Sequence, residues 1–449
     1  MKRSLKSIIL LCVLAVCVGG YLLISNQTNQ ATTATTENKE AVALAGHTLE
    51  ELSALSWTTD DGTIRFTKSD AGWRYDADSA FPANATTLDG LADKLIDLTA
   101  DRSVDNVTDL SIYGLSEPAF TLTAEWSDGT STAYGLGDAT AFADGYYVSR
   151  SGDDKVYIVS TSLKTTFQKT LNSLAVKETI PTADTVTRVT TAGVDASYDE
   201  TSRTVNTDQH WYAADGTVLD TSSVEDLVSD IKGIAWDELV TGSATEEQLS
   251  TWGLTDSAVT LTLYDGDTAV RTLLIGTTDD DGDYYARLPG SRMVYTVEAS
   301  DLSDALSATH DSLKAVNVLL TLPYDDVQAA QLTAGSVTCA LQTIDQRPVQ
   351  EESAATDTDA EAEAVEDPTE DDEALWKQLI AIKATGTAEA KDGDILLTVA
   401  VTNCNGIAAE LVIREYDADS YQASLDGGEA VTVSADKVDK LIRTLKQMN

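Results

Sequence analysis

The chain has 449 residues, of which 42% are hydrophobic, so it is long enough for several domains with apolar cores and has a globular composition. Its 30 Lys and Arg stand against 74 Asp and Glu, a formal net charge of −44. A surface of that sign repels nucleic acids and anionic lipid headgroups, which argues strongly against binding to nucleic acid.

The first element in chain order is an apolar run at the N-terminus. Three basic residues precede Ile8 to Ile24, which is 17 residues without a charge. At about 1.5 Å per residue such a helix just spans a thin hydrocarbon core, and its basic flank is expected to stay in the cytoplasm. We predict a cytoplasmic tip and transmembrane anchor over 1–24, in the cell membrane, with the bulk of the chain extracytoplasmic. A cleaved signal peptide is the alternative, but Ala43-Leu44-Ala45, the nearest small-x-small site, lies far from the apolar run.

Residues 25–46 separate the apolar run from the first segment with a hydrophobic period. They are rich in Thr, Asn, Gln and Ala. A chain of that composition behaves as a random coil, and roughly twenty residues of it reach about 25 Å. We therefore predict a flexible tether that keeps the globular part close to the membrane.

The globular part begins near His47, and repeat 1 is predicted over 47–180. A hairpin and a strand with Trp73 come first, followed by a helix with the spacing of an amphipathic segment, three, four and three. Tyr113-Gly114-Leu115 then opens β-rich segments cut by Asp-Gly turns, which is typical of an antiparallel meander. A second amphipathic helix closes the unit. The apolar positions of the two helices are Leu88, Leu91, Leu95 and Leu98, and Leu163, Phe167, Leu171 and Leu174.

Repeat 2 is predicted over 181–322. It contains the same features as repeat 1, and matched positions are 136 to 139 residues apart. Trp211 matches Trp73, and Trp252-Gly253-Leu254 matches the aromatic-Gly-Leu entry to the meander. Offsets this regular indicate a tandem duplication. We expect the matched aromatic residues to be core positions, with Trp73 and Trp211 in equivalent buried sites. Stacking on sugar rings is the alternative.

A partial repeat 3 is predicted over 323–449. Its head, Ala334-Gly335, matches that of repeat 2, and the apolar pattern from Val438 to Met448 matches the helix with spacing three, four and three. Tyr421 then takes the place of the tryptophan. On this alignment repeat 3 has no meander.

Repeat 3 also contains an acidic insertion, predicted at about 346–373. Between Glu351 and Glu373 there are 12 Asp or Glu and no Lys or Arg, with almost no apolar residue. Such a segment buries too little apolar surface to fold, so we predict that it is disordered.

Several of these features together resemble the domain-of-unknown-function 4340 family. They are the N-terminal anchor, the Trp-bearing strand, the short helix, the aromatic-Gly-Leu entry followed by Pro118-Ala119, and a late Tyr-Tyr-Val and Val-Tyr. The resemblance covers most of residues 47–305, although repeat 2 has Ser257-Ala258 in place of Pro-Ala. Members are membrane-anchored bacterial envelope proteins, often encoded beside ABC-type exporters. The resemblance implies an accessory role with envelope protein partners and no established activity.

The sequence offers no residue set that carries a chemistry. It has no His-Glu-x-x-His, Cys-x-x-Cys, nucleophile elbow or phosphate loop. Asp279, Asp281 and Asp283 resemble part of a calcium loop, but Leu288 falls where the bidentate carboxylate belongs, so they are weak metal candidates. Outside the anchor, Cys339 and Cys404 either form one disulfide or remain two core thiols. We assign no catalytic or cofactor-binding residue and no cofactor.

The sequence thus predicts an α+β fold: tandem antiparallel β meanders with short packing helices, after an N-terminal transmembrane helix. The predicted function is a non-enzymatic accessory or binding subunit of an ABC-type transporter-associated envelope complex. The alternatives are an envelope hydrolase acting on glycan or peptide, and a surface adhesin or spacer built from repeats.

Overall fold

The computed structural model describes residues 37–38, 41–59, 62–141, 144–341 and 370–448. Contacts divide the chain into a first body, residues 1–178 with 239–243, and a second body, residues 179–238 with 244–449. The predicted anchor, Ile8 to Ile24, lies outside the described residues, as does most of the predicted tether. Within the described residues, no helix is long and apolar enough to cross a membrane.

The first body is an antiparallel sheet with helices packed on it. Its sheet has the strand order β1-β7-β11-β10-β9-β8-β3-β4-β5, and β2 pairs with β6 in a separate two-stranded sheet. The strands are β1 Glu37–Asn38, β2 Val42–Ala43, β3 Leu52–Thr59, β4 Gly62–Ser69, β5 Gly72–Tyr75, β6 Thr99–Ala100, β7 Arg102–Val104, β8 Phe120–Trp126, β9 Ser131–Ala139, β10 Gly145–Arg150 and β11 Val156–Ser160. The helices are α1 Ala85–Ile96 and α2 Ser162–Phe167, with 3-10 turns at Leu49–Glu51, Ser111–Tyr113 and Asn172–Leu174.

Local sequence explains these elements. Strand β8 alternates buried and half-buried residues along its whole length, the pattern of a strand with one face on a core. Asn84 caps the N-terminus of helix α1, because its side chain accepts a hydrogen bond from the backbone N–H of Thr87. The helix buries Leu88, Leu91 and Leu95, the apolar face that the spacing predicts. The core beneath the sheet includes Trp57, Phe66 and Phe167.

Repeat 2 forms the same sheet in the second body. Its strands are β12 Arg188–Thr190, β13 Asp195–Tyr198, β14 Trp211–Ala213, β15 Val218–Leu219, β17 Val259–Asp265, β18 Thr268–Thr278, β19 Tyr284–Arg287 and β20 Val294–Val297, and β16 Leu239–Thr241 is the segment that falls in the first body. The helices are α3 Thr221–Gly233, α4 Glu246–Thr251, α5 Ala299–Ser307 and α6 His310–Leu313. The order β20-β19-β18-β17-β12-β13-β14 repeats β11-β10-β9-β8-β3-β4-β5 of the first body, so the predicted duplication extends to topology.

The prediction that repeat 3 lacks a meander is wrong. Its elements are a 3-10 turn at Tyr324–Asp326, β21 Val327–Ala334, β22 Val337–Leu341, α7 Glu370–Ile380, β23 Ala384–Thr387, β24 Ile395–Asn403, β25 Ala408–Glu415, β26 Ser420–Leu425, β27 Val431–Ser434 and α8 Ala435–Gln447. The order β27-β26-β25-β24-β21-β22 contains the whole four-stranded meander. Helix α8 follows the last meander strand as α5 does in repeat 2. It therefore corresponds to the closing helix, and Tyr421 lies on a meander strand rather than in the place of the tryptophan.

The acidic insertion is also shorter than predicted at its C-terminal end. Residues 370–373 form the first turn of α7, where four carboxylates lie at the positive end of the helix dipole. Trp376 in this helix is fully buried, and its indole N–H donates to the carbonyl oxygen of Leu322 at 2.8 Å. Residues 342–369 lie outside the described residues.

The closing helix of repeats 1 and 2 is broken at the same place. In repeat 1 it is α2 and a 3-10 turn, separated by residues 168–171, and in repeat 2 it is α5 and α6. In repeat 2 the break has a clear cause, because Thr309 accepts the backbone N–H of Ser312 and begins a new helix. The sequence predicts one continuous helix in each case, and only α8 of repeat 3 is continuous.

Candidate functional site

The aromatic-Gly-Leu positions form a structural corner in both repeats. Gly114 and Gly253 have φ of 69° and 68°, a left-handed conformation that favours glycine. The residues that follow are buried, Leu115 with 4% of its surface exposed and Leu254 with none. These residues shape the backbone between the 3-10 or α-helical turn and the meander.

A second glycine in each repeat completes the corner. A Cβ on Gly137 would lie 2.0 Å from the carbonyl oxygen of Tyr113, and a Cβ on Gly276 would lie 2.0 Å from that of Trp252. In repeat 2 that carbonyl accepts the backbone N–H of Thr277 at 2.8 Å. The close approach of two backbone segments therefore requires glycine at both places.

The aromatic residue of each corner packs on a meander tyrosine. The ring of Tyr113 meets Tyr147 edge-on with centroids 4.9 Å apart, and Trp252 stacks on Tyr285 with centroids 5.1 Å apart. Both pairs are half-buried. The structure thus assigns these matched positions a packing role.

Trp73 and Trp211 lie on corresponding strands but not in equivalent sites, contrary to the prediction. Trp211 is 3% exposed, and its indole nitrogen has no hydrogen-bond partner among the described residues. Trp73 is half-buried and donates its indole N–H to Asp89 at 2.9 Å, with the ammonium of Lys68 5.2 Å from the ring centroid. That hydrogen bond is the main reason why the pKa of Asp89 is lowered.

The weak metal candidates form a turn. The Oδ1 of Asp279 accepts the backbone N–H groups of Asp281, Gly282 and Asp283, and Asp283 accepts that of Ala299. One oxygen of Asp279 and one of Asp283 are therefore bonded to backbone N–H groups. Across the described residues, no group of three or more His, Cys, Asp or Glu is placed to hold a metal ion.

The histidines have structural partners, and Cys339 and Cys404 do not form the disulfide that the sequence left open. His47 stacks on Trp126 with centroids 4.1 Å apart, while His310 accepts the backbone N–H of Asp195 at 2.9 Å. Cys339 is half-buried, Cys404 is exposed, and both are free thiols.

The strongly perturbed titratable groups have structural partners. Burial lowers the pKa of Arg271, whose guanidinium donates to the carbonyl oxygens of Pro181 and Ile234. Burial raises the pKa of Tyr134 to about 12, and its hydroxyl donates to the carbonyl oxygen of Leu44 at 3.1 Å. Tyr134 also interacts with the charge of Arg150, which opposes this rise. Burial and a hydrogen bond donated to Asp153 raise the pKa of Tyr157 to about 12 as well.

The candidate functional site is a cavity of about 480 Å³ in repeat 1. It lies between the end of the β3–β4 hairpin and the segment that follows α2. Asp60 and Asp61, which join the two strands, lie outside the described residues. The lining residues are Thr58, Thr59, Gly62, Thr63, Ile64, Tyr75, Ala119, Phe120, Lys164, Gln168, Lys169, Thr170 and Leu171.

The cavity exists because the first hairpin is long. Ser56 pairs with Arg65 in repeat 1 as Thr190 pairs with Asp195 in repeat 2. Beyond that pair, the hairpin of repeat 1 continues to the pair formed by Thr59 and Gly62. These additional residues form one wall of the cavity.

In repeat 2 the corresponding space is closed. The chain turns at once, with the backbone N–H of Thr191 donating to the carbonyl oxygen of Val194 at 2.9 Å. A Cβ on Gly193 would lie 2.4 Å from the carbonyl oxygen of Ala308, so the turn packs directly on the break in the closing helix. The ring of His310 fixes this contact through its hydrogen bond to the backbone of Asp195.

The side chains differ together with the hairpin. Leu163 and Leu302 occupy matched positions of the closing helix, which places Ser303 and Ala308 where repeat 1 has Lys164 and Lys169. Repeat 3 also has a short hairpin, which ends at the pair Ala334–Val337. Of the three hairpins, only the long one of repeat 1 occurs in a repeat that has lysines at these two positions.

A second cavity, of about 360 Å³, lies inside the second body between repeats 2 and 3. Gln209 lines it, is 8% exposed, and has an Oε1 without a hydrogen-bond partner in the described part of the chain. Its lysine, Lys314, already lies 3.6 Å from Glu429. Ordered water suffices to bond such an amide, so we regard this cavity as the weaker candidate.

Sequence reasoning missed the cavity of repeat 1. The length of the first hairpin could have indicated it, because more residues separate the two matched strands in repeat 1 than in repeat 2. Lys164 and Lys169 gave a second signal, since they replace small residues of repeat 2 in an acidic chain.

Comparison with known proteins gives one result. The family model described as domain of unknown function (DUF4340) matches residues 73–247 and again residues 211–396. The two matches overlap and start at the two matched tryptophans, in agreement with the duplication. No curated protein and no solved structure matches the chain.

Proposed function

The chain belongs to the DUF4340 family, and from this premise we propose that it is a membrane-anchored, extracytoplasmic binding subunit without enzymatic activity. Its partners would be envelope proteins of an ABC-type transporter-associated complex, and its ligand site would be the cavity of repeat 1. The observation that carries this proposal is the difference between matched repeats, open in repeat 1 and closed in repeat 2.

A duplicated scaffold makes this difference informative. Residues that the fold needs occur in both copies, as the glycine corners do. A cavity that one copy keeps open, with its own polar side chains, is not required by the fold. Such concave sites with a few convergent polar groups are the usual places for small ligands.

The lining chemistry favours binding over catalysis. The described wall contains Lys, Thr and Gln side chains with an apolar floor, and no described carboxylate, histidine or cysteine lines it. Hydrolysis of a glycan needs two positioned carboxylates, and peptide hydrolysis needs a nucleophile with a base or a metal.

The site is tested by transferring the short hairpin of repeat 2 into repeat 1. Replacing residues 58–63 by Ala-Gly leaves Trp57 and Ile64 to form the tight turn that Thr191 and Val194 form in repeat 2. In the full-length protein, the neutral apolar fluorophore N-phenyl-1-naphthylamine should bind the wild type, and the hairpin variant should lose that site. Equal binding by a correctly folded variant would place the ligand elsewhere.

The partners are tested by crosslinking in intact membranes and identification of the adducts. A tethered domain meets its membrane neighbours at a high effective concentration, so weak contacts suffice for capture. Screens of the same protein on cell-wall glycans and peptides run in parallel. Turnover of such a substrate, with no membrane partner captured, would support the hydrolase instead.

The topology is tested by protease added to intact cells. We expect digestion of everything beyond the tether and a cell-associated anchor, because the basic flank of Ile8 to Ile24 stays inside. Full-length protein in the medium, or a protected globular part, would contradict the proposal.

A further inference from the structure

We infer that the cavity of repeat 1 takes an amphipathic anion: an apolar body with one carboxylate, phosphate or sulfonate group. This inference rests on the proposed function and specifies its ligand. It follows from three properties of the cavity, which are its floor, its cations and its size.

The floor is apolar. Ile64 and Phe120 are 7% and 6% exposed, and Tyr75 and Leu171 are half-buried around them. Burial of apolar area from a ligand in such a site is favourable, at about 25 cal/mol for each Å² removed from water. The floor therefore selects an apolar body.

The two cations have no ion-pair partner in the described part of the chain, whereas several other cations of the first body do. Arg65, Lys68, Arg102 and Lys155 all lie within ion-pair distance of a carboxylate. In the described part of the chain, Lys164 and Lys169 form no ion pair, and both are half-buried at the cavity. Lys164 instead lies 5.9 Å from the ring centroid of Tyr146.

In the described part of the chain these two half-buried ammonium groups have no paired counter-ion, so their donors are open to an external anion. An anion between them would form charge-assisted hydrogen bonds, which are shorter and stronger than neutral ones. The side chains of Thr63, Thr170 and Gln168 line the cavity as well and carry further donors for its oxygens.

The size and the net charge limit the source of the anion. A volume of about 480 Å³ is that of a small-molecule site. A chain of charge −44 is repelled far more by the many charges of an anionic bilayer surface than by one anionic group in solution. The expected ligand is thus a monomeric amphiphile rather than a headgroup within a membrane.

The test uses the full-length protein and two fluorophores with the same ring system. One is 8-anilinonaphthalene-1-sulfonate, which is anionic, and the other is neutral N-phenyl-1-naphthylamine. The variants are Lys164→Gln and Lys169→Gln, singly and together. The control for each single change is Lys94→Gln, which removes one positive charge from the exposed last turn of α1.

We expect the double variant to weaken binding of the sulfonate about tenfold or more, because charge-assisted hydrogen bonds are lost. Binding of the neutral fluorophore should change less than about twofold, since the floor is intact. Lys94→Gln should leave both unchanged. Dodecanoate and dodecyl phosphate below their micellar concentrations should displace the sulfonate, whereas phosphatidylglycerol vesicles should not.

The outcomes separate the two proposals. If both fluorophores bind at the hairpin-dependent site and the lysine variant changes neither, the anionic class is wrong and the binding site stands. If neither fluorophore depends on the hairpin, the site itself is wrong. Lysine-dependent binding to phosphatidylglycerol vesicles would overturn the monomeric ligand.

Discussion

Repeats 1 and 2 share strand order and corner geometry yet differ at one end of the sheet. In repeat 1 a long hairpin stands away from the closing helix and leaves a cavity. In repeat 2 a tight turn at Gly193 packs on Ala308 and fills the same place. The comparison teaches that the duplicated features build the scaffold, whereas hairpin length and the side chains facing it have diverged.

The tryptophans show the same division. Both lie on the strand that follows the hairpin, so strand position is a property of the scaffold. Their surroundings differ, because Trp73 has an acceptor in Asp89 while Trp211 is packed among apolar residues. A matched position in sequence therefore does not ensure a matched environment.

The largest expected effect is the loss of Trp211. Trp211→Ala should destabilise the second body by about 3–5 kcal/mol, because it removes a fully packed aromatic side chain. Trp73→Ala should cost the first body roughly half as much, since less area is buried. Urea unfolding followed by circular dichroism measures both, and equal losses would contradict the difference in environment.

Substitution of the corner glycines by alanine should lower the free energy of unfolding by a similar amount in both repeats. Gly137→Ala and Gly276→Ala each place a Cβ against a backbone carbonyl, and overpacking of this kind costs about 2–3 kcal/mol. Gly90→Ala is the control, because α1 has open space there and alanine should stabilise the helix by about 0.5–1 kcal/mol. Tolerance of either corner variant would show that the two corners are not the same structure.

Alkaline pH should weaken the first body through Tyr134. Burial raises its pKa to about 12 in the folded state, above the ordinary tyrosine value of about 10, so its contribution is fully present below pH 10 and is lost as pH rises towards 12. The loss should reach about 2 kcal/mol at pH 12. Tyr134→Phe should reduce this pH dependence, and Leu273 at the matched position gives repeat 2 no such group. The remaining dependence should come from Tyr157, whose pKa is also raised to about 12 by burial and by its hydrogen bond to Asp153. An unchanged slope in the variant would contradict the assignment.

The smallest effect concerns Asp89. Its pKa is lowered by the Trp73 indole and then by Lys68, so its stabilisation is present above the ordinary carboxyl pKa and is lost as pH falls through the lowered value. The carboxylate is 48% exposed, so Asp89→Asn should cost only a few tenths of a kcal/mol at pH 7. Glu225→Gln, at the matched and exposed position of α3, should cost nothing. Comparison of unfolding at pH 7 and pH 3 measures both.

Much of the fold follows from local sequence. Alternation along β8, the spacing of Leu88 to Leu95 and the Asp-Gly turns predict strands, a helix and hairpins, because each depends on neighbours within one element. Gly114 and Gly253 are predictable as special positions for the same reason. The repetition of these patterns was sufficient to indicate the duplication and the family.

Repeat 3 shows where that reasoning fails. The apolar spacing of α8 is that of any amphipathic helix. It does not indicate whether the helix precedes the meander or follows its last strand. Strands β24 to β27 lack the aromatic-Gly-Leu entry, so their meander was not recognised. Only strand pairing identified them.

The sequence by itself determined the elements, the duplicated scaffold, the acidic surface and the family. The tertiary structure alone decided that one hairpin leaves a cavity, that its neighbour closes on Ala308, and which tryptophan is buried. The physical reason is that these outcomes depend on contacts between separate elements, from the hydrogen bond of Trp73 to Asp89, 16 residues apart, to that of Asp195 to His310, 115 residues apart. Local propensity and periodicity contain no information about such contacts.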